Sequence, residues 1–214
     1  MTTEIELKYQ LLTNSEENNA VADNITTMLT ALNITFEKSQ FQLMNDYYET
    51  ELLTLRKLDF GLRIRTKEKQ YEQTIKTAGK VIGCLHQRPE HNISIDRNQL
   101  NLTLFPKSIW PENVDVIELQ KNLRVVFSTN FSRQTWLIHQ GNNVMELALD
   151  NGKIFVQDSN ESVVINEIEI ELVRGDEQAL FTLAKELAKI ITMEPGKHSK
   201  AARGYSLYNG TAKS

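Results

Sequence analysis

Two short runs of ionisable residues carry the chemistry of this chain. Glu4, Glu6 and Lys8 stand two apart in TEIELKYQLL, and Glu167, Glu169 and Glu171 stand two apart in NEIEIEL. Side chains of a strand alternate between faces, so each trio shares one face, with Ile5, Leu7 and Tyr9 or Ile168, Ile170 and Leu172 on the other. Three carboxylates in a row repel one another unless a cation lies among them. Hard divalent cations take oxygen ligands and bridge protein carboxylates to substrate phosphates. Glu4, Glu6, Glu146, Asp150, Glu169 and Glu171 are therefore candidate metal ligands. Other strand-like segments are basic: Arg63, Arg65, Lys76, Arg88 and Arg133 offer charges that suit a phosphate chain, guanidinium matching phosphate in bidentate fashion. Together these groups describe a metal-dependent phosphate enzyme.

The elements that must position them follow from periodicity. Thr13 and Glu16 have capping-box spacing, and Val21, Ile25, Met28, Leu29 and Leu32 predict an amphipathic helix over roughly 15–32. FQLMNDYYET reads as a strand in which Tyr47 and Tyr48 pack the wall. FGLRIRTKEKQYEQTIKT reads as a hairpin turning near Lys67 to Gln70, and HQRPEHNISI as a strand with Pro89 at an edge or bulge. Residues 97–130 lose alternation and read as loop with one or two short helices. From 131 an antiparallel meander is expected, with Asn151-Gly152 favouring a hairpin turn. A helix capped by Asp176 and ended by Pro195-Gly196 follows, then one short helix in HSKAARGYSLY.

Two arrangements fit such strands. An open sheet with helices on one face gives apolar-in, polar-out alternation with the charges in water. A closed barrel turns the charges inward, removes its edges and leaves the helices at 15–32 and 176–193 to cover an apolar outside. The separation by sign, acidic first and last strands against basic ones around 63–76, favours the second.

Composition bounds the rest. The 214 residues suffice for one fairly large domain. A net charge of -4 argues against a nucleic-acid binder that works by broad basic coverage. Cys84 is the only cysteine, which rules out an internal disulfide; the amino end has no leader pattern, and no run of about eighteen apolar residues occurs. A cytoplasmic protein without membrane contact is expected. Cys84 with His86 lacks a supporting acid, the four histidines lack zinc spacing, and neither GxxxxGK[ST] nor GxGxxG is present.

EIELK at 4–8, Arg63-x-Arg65, Lys76, Arg88-x-Glu90, Arg133, ELALD at 146–150, EIE at 169–171 and SKAARGY at 199–205 resemble, in order, the CYTH superfamily of triphosphate tunnel metalloenzymes. GCLHQRPEHN and FSTNFSRQTW are similar to its bacterial inorganic triphosphatase branch. The resemblance implies an α+β fold, a closed antiparallel barrel of eight strands around a tunnel that binds triphosphates with one or two Mg²⁺ or Mn²⁺ ions. It implies one tunnel domain over 1–205 with a tail at 206–214, working as monomer or homodimer. Arg63, Arg65, Lys76, Arg88 and Arg133 would hold the phosphate chain, with Lys8 as a further contact or a group orienting water. Glu4, Glu6, Glu169 and Glu171, with Asp150 and Glu146, would bind metal and position the attacking water. Lys200 and Arg203 would sit on a helix plugging one end and reach the terminal phosphate, and Glu90 would orient a lumen arginine. Glu167 extends the usual pair, either as a ligand or at the tunnel mouth. The resemblance leaves open a continuation into a helical CHAD domain. The leading expectation is hydrolysis of inorganic triphosphate to pyrophosphate and phosphate. Adenylyl cyclase, nucleoside or thiamine triphosphatase, and a non-catalytic polyphosphate-binding module are the alternatives.

Overall fold

The computed structural model describes residues 2–13, 17–157 and 159–211. Its strands are β1 (Thr2–Leu11), β2 (Thr35–Glu49), β3 (Gly61–Lys67), β4 (Gln70–Lys76), β5 (Lys80–Ile82), β6 (Leu85–Ile95), β7 (Arg124–Gln140), β8 (Asn143–Phe155), β9 (Ser162–Arg174) and β10 (Met193–Pro195). Its α-helices are α1 (Asn18–Ala31), α2 (Thr54–Lys57), α3 (Val116–Lys121), α4 (Gln178–Leu187) and α5 (Lys200–Thr211). Eight strands run in the order β1-β9-β8-β7-β2-β3-β4-β6, and β6 pairs back onto β1 from Thr2 opposite Glu90 to Leu7 opposite Leu85. Every pairing is antiparallel, so the sheet closes into a barrel, with β5 and β10 as short additions on β6 and β1.

The barrel is apolar outside and charged inside. Leu7, Trp136, Leu147, Ile168 and Ile170 project outward and are fully buried under Val21, Ile25 and Leu29 of α1 and Leu180, Leu183 and Leu187 of α4. On the far wall Leu62, Ile64 and Ile75 are covered by Leu102, Phe105, Trp110 and Leu119 from the segment between β6 and β7. Each such side chain contributes roughly 1.5–3 kcal/mol by leaving water, so the wall is held from outside and its lumen is free for polar groups. The alternation in β1, β3 and β9 is thereby accounted for, with the charged face in the tunnel.

Several local expectations meet their tertiary limits. Helix α1 falls where periodicity predicts it; Glu16 of the proposed capping box lies outside the described residues. β7 begins at Arg124, inside the stretch read as loop, because Val125 and Phe127 pair with Tyr48 and Tyr47 of β2. Asn151-Gly152 makes no turn: β8 runs through it, with Gly152 opposite Phe131. A Cβ there would lie 2.2 Å from the Asn130 carbonyl, so the glycine serves close strand approach. Asp176 does accept from the Gln178 amide (2.9 Å), yet α4 stops at Leu187 and Met193–Pro195 pairs with Tyr9–Leu11 instead of extending it. Pro89 stands opposite Thr3 of β1 and one residue beyond the last rung between β4 and β6, Lys76 opposite Glu90, with its carbonyl accepting from the Thr77 amide on the β4 side. The tail expected from 206 begins as helix, α5 continuing through Thr211.

Candidate active site

The acids of β9 meet three neighbours in register: Glu169 is opposite Lys8, Glu171 opposite Glu6, and Glu167 opposite Gln10 of β1. Lys8 donates to Glu169 at 2.5 Å and to Glu6 at 2.7 Å. Burial opposes its charge, but Glu169, Glu6 and Glu4 outweigh burial and hold the ammonium well above its ordinary range. From the next strands, Arg133 of β7 makes a two-pronged bond to Asp150 of β8, 2.7 Å on each prong, and reaches Glu169 at 2.6 Å and Glu146 at 3.7 Å.

Helix α5 delivers the remaining cations. Lys200, in its first turn, lies 2.6 Å from Asp150 and 3.1 Å from Glu169 and pairs with Glu167, which Arg203 also binds. Asp150, Glu167 and Glu169 offer oxygens within 4.8 Å of one another, and Lys200 bonds to all three. The helix is seated by Gly204, where a Cβ would stand 2.2 Å from the Phe127 ring, and by Tyr205, edge-on to Phe127 at 5.2 Å. The Tyr205 hydroxyl donates to Glu49 (3.4 Å). That fully buried carboxylate also accepts from the amides of Thr50, Leu55 and Arg56, fixing α2 beside α5.

The other acidic group is poorer in cations. Glu4 pairs with Lys76, which with Lys8 pulls its carboxyl below the usual range against the effect of burial. Burial pushes Glu6 up despite Lys8. Glu171 has no ion pair among the described residues and stands opposite both Glu6 and Glu146 in register. Burial, then Glu4 and Glu6, push it up to about 7.

Facing these acids is the basic wall of β3, β4 and β6. Arg63 lies 3.6 Å from Glu90, and Glu90 lies 3.5 Å from Lys76, so Glu90 sits between two lumen cations. The Arg63 Nε is buried without a hydrogen-bond partner. Among the described residues Arg65 donates only its Nε, to Asn45 (2.9 Å); burial, then Arg63 and Arg133, push its guanidinium down to about 10. Arg88 is turned to the rim, donating to the carbonyls of Thr77 (3.0 Å) and Asp59 (2.9 Å) and to the Asp59 carboxylate (3.4 Å).

One cavity of about 350 Å³ joins most of these groups: Glu4, Glu6, Lys8, Glu169 and Glu171 on one side, Arg63, Arg65, Lys76, Arg88 and Glu90 on the other, with Arg133 and Lys200. Glu146 faces a second cavity, Asp150 and Glu167 lie behind the first one's wall, and Arg203 lies on the outer side of α5. Sequence reasoning passed over His86, opposite Glu6 and on the same strand face as Arg88 and Glu90, which the period of two would have found. It also passed over Arg56, which nothing in its four-residue helix marks; Glu49 brings it to the rim, above the Tyr205 ring.

A closed antiparallel barrel that keeps its apolar face outward and buries opposed acidic and basic walls in one lumen is a charged-tunnel protein. The CYTH domain profile matches residues 2–205, and the chain belongs to that family. It is 34% identical over 172 residues, 80% of its length, to an inorganic triphosphatase of Haemophilus influenzae, and it spans about half, 47%, of that relative. Its fold is that of a Hippeastrum protein described as an adenylyl cyclase with dominant triphosphatase activity (TM-score 0.66, 16% identity, 95% of each chain covered). It is also that of a Mimivirus capping enzyme triphosphatase (TM-score 0.55, 13% identity, 89% of this chain and 90% of that one).

Proposed function

We propose that this chain hydrolyses inorganic triphosphate to pyrophosphate and phosphate with one or two Mg²⁺ or Mn²⁺ ions. One observation carries the reading: a single cavity holds both a carboxylate without a cation among the described residues, Glu171 beside Glu4 and Glu6, and guanidinium groups with donors to spare, Arg63 and Arg65. A hard cation and a polyphosphate supply the two missing partners together. The all-oxygen donor set suits Mg²⁺ or Mn²⁺.

Glu4, Glu6 and Glu171 line the main cavity and would hold the metal; Glu146, opposite Glu171 in register, faces the second cavity and pairs with Arg133. Asp150 and Glu169 reach it only by giving up ion pairs to Arg133 and Lys200. When bound, the metal would polarise the phosphoryl group and lower the pKa of water. Arg63, Arg65 and Lys76 bind the phosphate chain and neutralise charge gathering on the equatorial and leaving oxygens. Glu90 orients Arg63 and Lys76. Glu6 and Glu171 accept hydrogen bonds from the attacking water and aim its lone pair at phosphorus. Lys8, held charged by Glu169 and Glu6, keeps those acids in place and stays a donor. In the hydrolysis the water oxygen bonds to a terminal phosphorus, the bridging P–O bond breaks toward pyrophosphate, and the water proton ends on phosphate or in bulk solvent.

The test is phosphate release from tripolyphosphate and from ATP with Mg²⁺ or Mn²⁺, with chromatography for cyclic AMP, in wild type and Glu6→Gln. Metal-dependent release from tripolyphosphate that the substitution lowers roughly a hundredfold supports the reading. Cyclic AMP would replace it with a cyclase, and tight binding without turnover with a binding module.

A further inference from the structure

The lumen does not end at the cavity described above. A second cavity, about 500 Å³, opens at the end of the barrel away from α5, and Arg65, Arg133 and Glu72 line both. Arg65 thus stands between two chambers. Its Nε is taken by Asn45, its other donors have no partner among the described residues, and Glu72, opposite it on β4, lies beyond ion-pair range. Further out, Lys67 at the end of β3 has no carboxylate partner among the described residues, and its ammonium sits 3.6 Å above the centre of the Phe41 ring. The acids facing this chamber are Glu72 and Glu146, and Glu146 lies 3.7 Å from Arg133. That leaves two cations, Arg65 and Lys67, against one free acid. A small anion is the ligand this imbalance favours, since guanidinium and ammonium groups donate to phosphate oxygens and a partly desolvated site strengthens the bond.

We propose that this outer chamber, bounded by Arg65 and Lys67, is a second anion site that takes orthophosphate, and that it is the way out for the phosphate cleaved at the deep end of the tunnel. The proposal rests on the hydrolase reading for its role, though not for its binding chemistry. Hydrolysis makes two anions in a narrow tube. If triphosphate enters past Arg56 and Arg88 at the α5 end, the pyrophosphate held by Arg63 and Lys76 lies between the freed phosphate and that mouth. Arg65 touches both chambers and can pass the phosphate onward, and Lys67 receives it at the far rim. A single-ended site would oblige the products to leave in strict order, pyrophosphate first.

The experiment is calorimetric titration of the full chain with orthophosphate, in EDTA to stop turnover and with tripolyphosphate saturating the tunnel. The proteins compared are wild type, Lys67→Glu and, on the facing strand, Gln70→Glu. Orthophosphate binding that persists beside tripolyphosphate in the wild type, and weakens tenfold or more in Lys67→Glu and measurably in Gln70→Glu, is expected. No orthophosphate binding once tripolyphosphate is bound, or equal binding in all three proteins, overturns the proposal. Turnover of tripolyphosphate is assayed separately with metal. Its absence would sink the hydrolase reading and the exit role while leaving the anion site to stand or fall on the titration.

Discussion

Glu167, Glu169 and Glu171 are three copies of one residue on one face of one strand, yet they belong to two electrostatic regions. At the α5 end, Glu167 and Glu169, with Asp150, are bound by cations of the chain itself: Arg133, Lys200 and Arg203. Lys200, Lys8 and Arg133 overcome burial and hold Glu169 well below the ordinary carboxylate range. Glu171, one strand repeat further, has Glu6 and Glu146 on its flanks and rises to about 7. The first region is a finished structural network. The second is short of positive charge, and on the proposed reading it is where a cation from solution binds.

The largest effect should come from breaking the finished network. Lys200→Ala leaves three buried carboxylates with one fewer cation, and removing one partner of a buried pair costs about 3–5 kcal/mol. Urea denaturation at pH 7 should show that loss, and Mg²⁺ or Mn²⁺ should recover more stability in the variant than in wild type, because the vacated place suits a cation. A loss under about 1 kcal/mol would mean that the two regions do not differ as described. Next comes the unfinished region: Glu6→Gln should lower tripolyphosphate turnover roughly a hundredfold, about 2.7 kcal/mol of barrier, with a weaker metal dependence. Retained turnover would move the metal to the Asp150 side.

A smaller effect has a pH sign that separates the regions. A carboxyl whose folded pKa is raised destabilises the fold as pH climbs from its unfolded value of about 4.3 to its folded one, and the penalty is constant above that. For Glu171 the window closes near 7. Without metal, Glu171→Gln should therefore be more stable than wild type at pH 8, on the order of 2 kcal/mol, and equal to it near pH 4. Glu169→Gln should do the opposite, losing stability at pH 8, since its folded pKa is depressed. Thermal melts at the two pH values read both signs.

This division was only partly legible in the sequence. Period-two alternation located the charged faces of β1, β3 and β9, and with them most of the groups that line the lumen. Which acid meets which cation was not legible, because Lys8 and Glu169 are joined by the pairing of β1 with the distant β9 and Lys200 by the docking of α5 on Phe127. Lys200 and Arg203, expected at a phosphate, pair with Glu167 and its neighbours, an arrangement the sequence did not show, and Lys200 also lines the main cavity. Asn151-Gly152 failed for a related reason: the long ladder between β7 and β8 outweighs a local turn preference.

The smallest effect, that of Arg88, lies on the basic wall, where the same contrast of committed and uncommitted groups applies. Arg88 and Arg65 were alike in the sequence as phosphate contacts, but Arg88 spends its donors on Thr77 and Asp59, whereas Arg65 keeps most of its own. Arg88 therefore acts first as a tie that holds the Asp59 turn, whose φ of 56° is strained for a non-glycine residue, against the rim. A Cβ on Gly79 would lie 2.3 Å from the Arg88 Cγ, so only glycine lets the chain pass this close to the Arg88 side chain. Arg88→Ala should raise KM for tripolyphosphate roughly fivefold, about 1 kcal/mol. Arg65→Ala should raise it at least tenfold more, because a desolvated guanidinium with open donors binds phosphate at full strength. Equal losses at the two positions would mean that Arg88 turns inward when substrate arrives, and that its contacts to Asp59 are a resting arrangement of the rim.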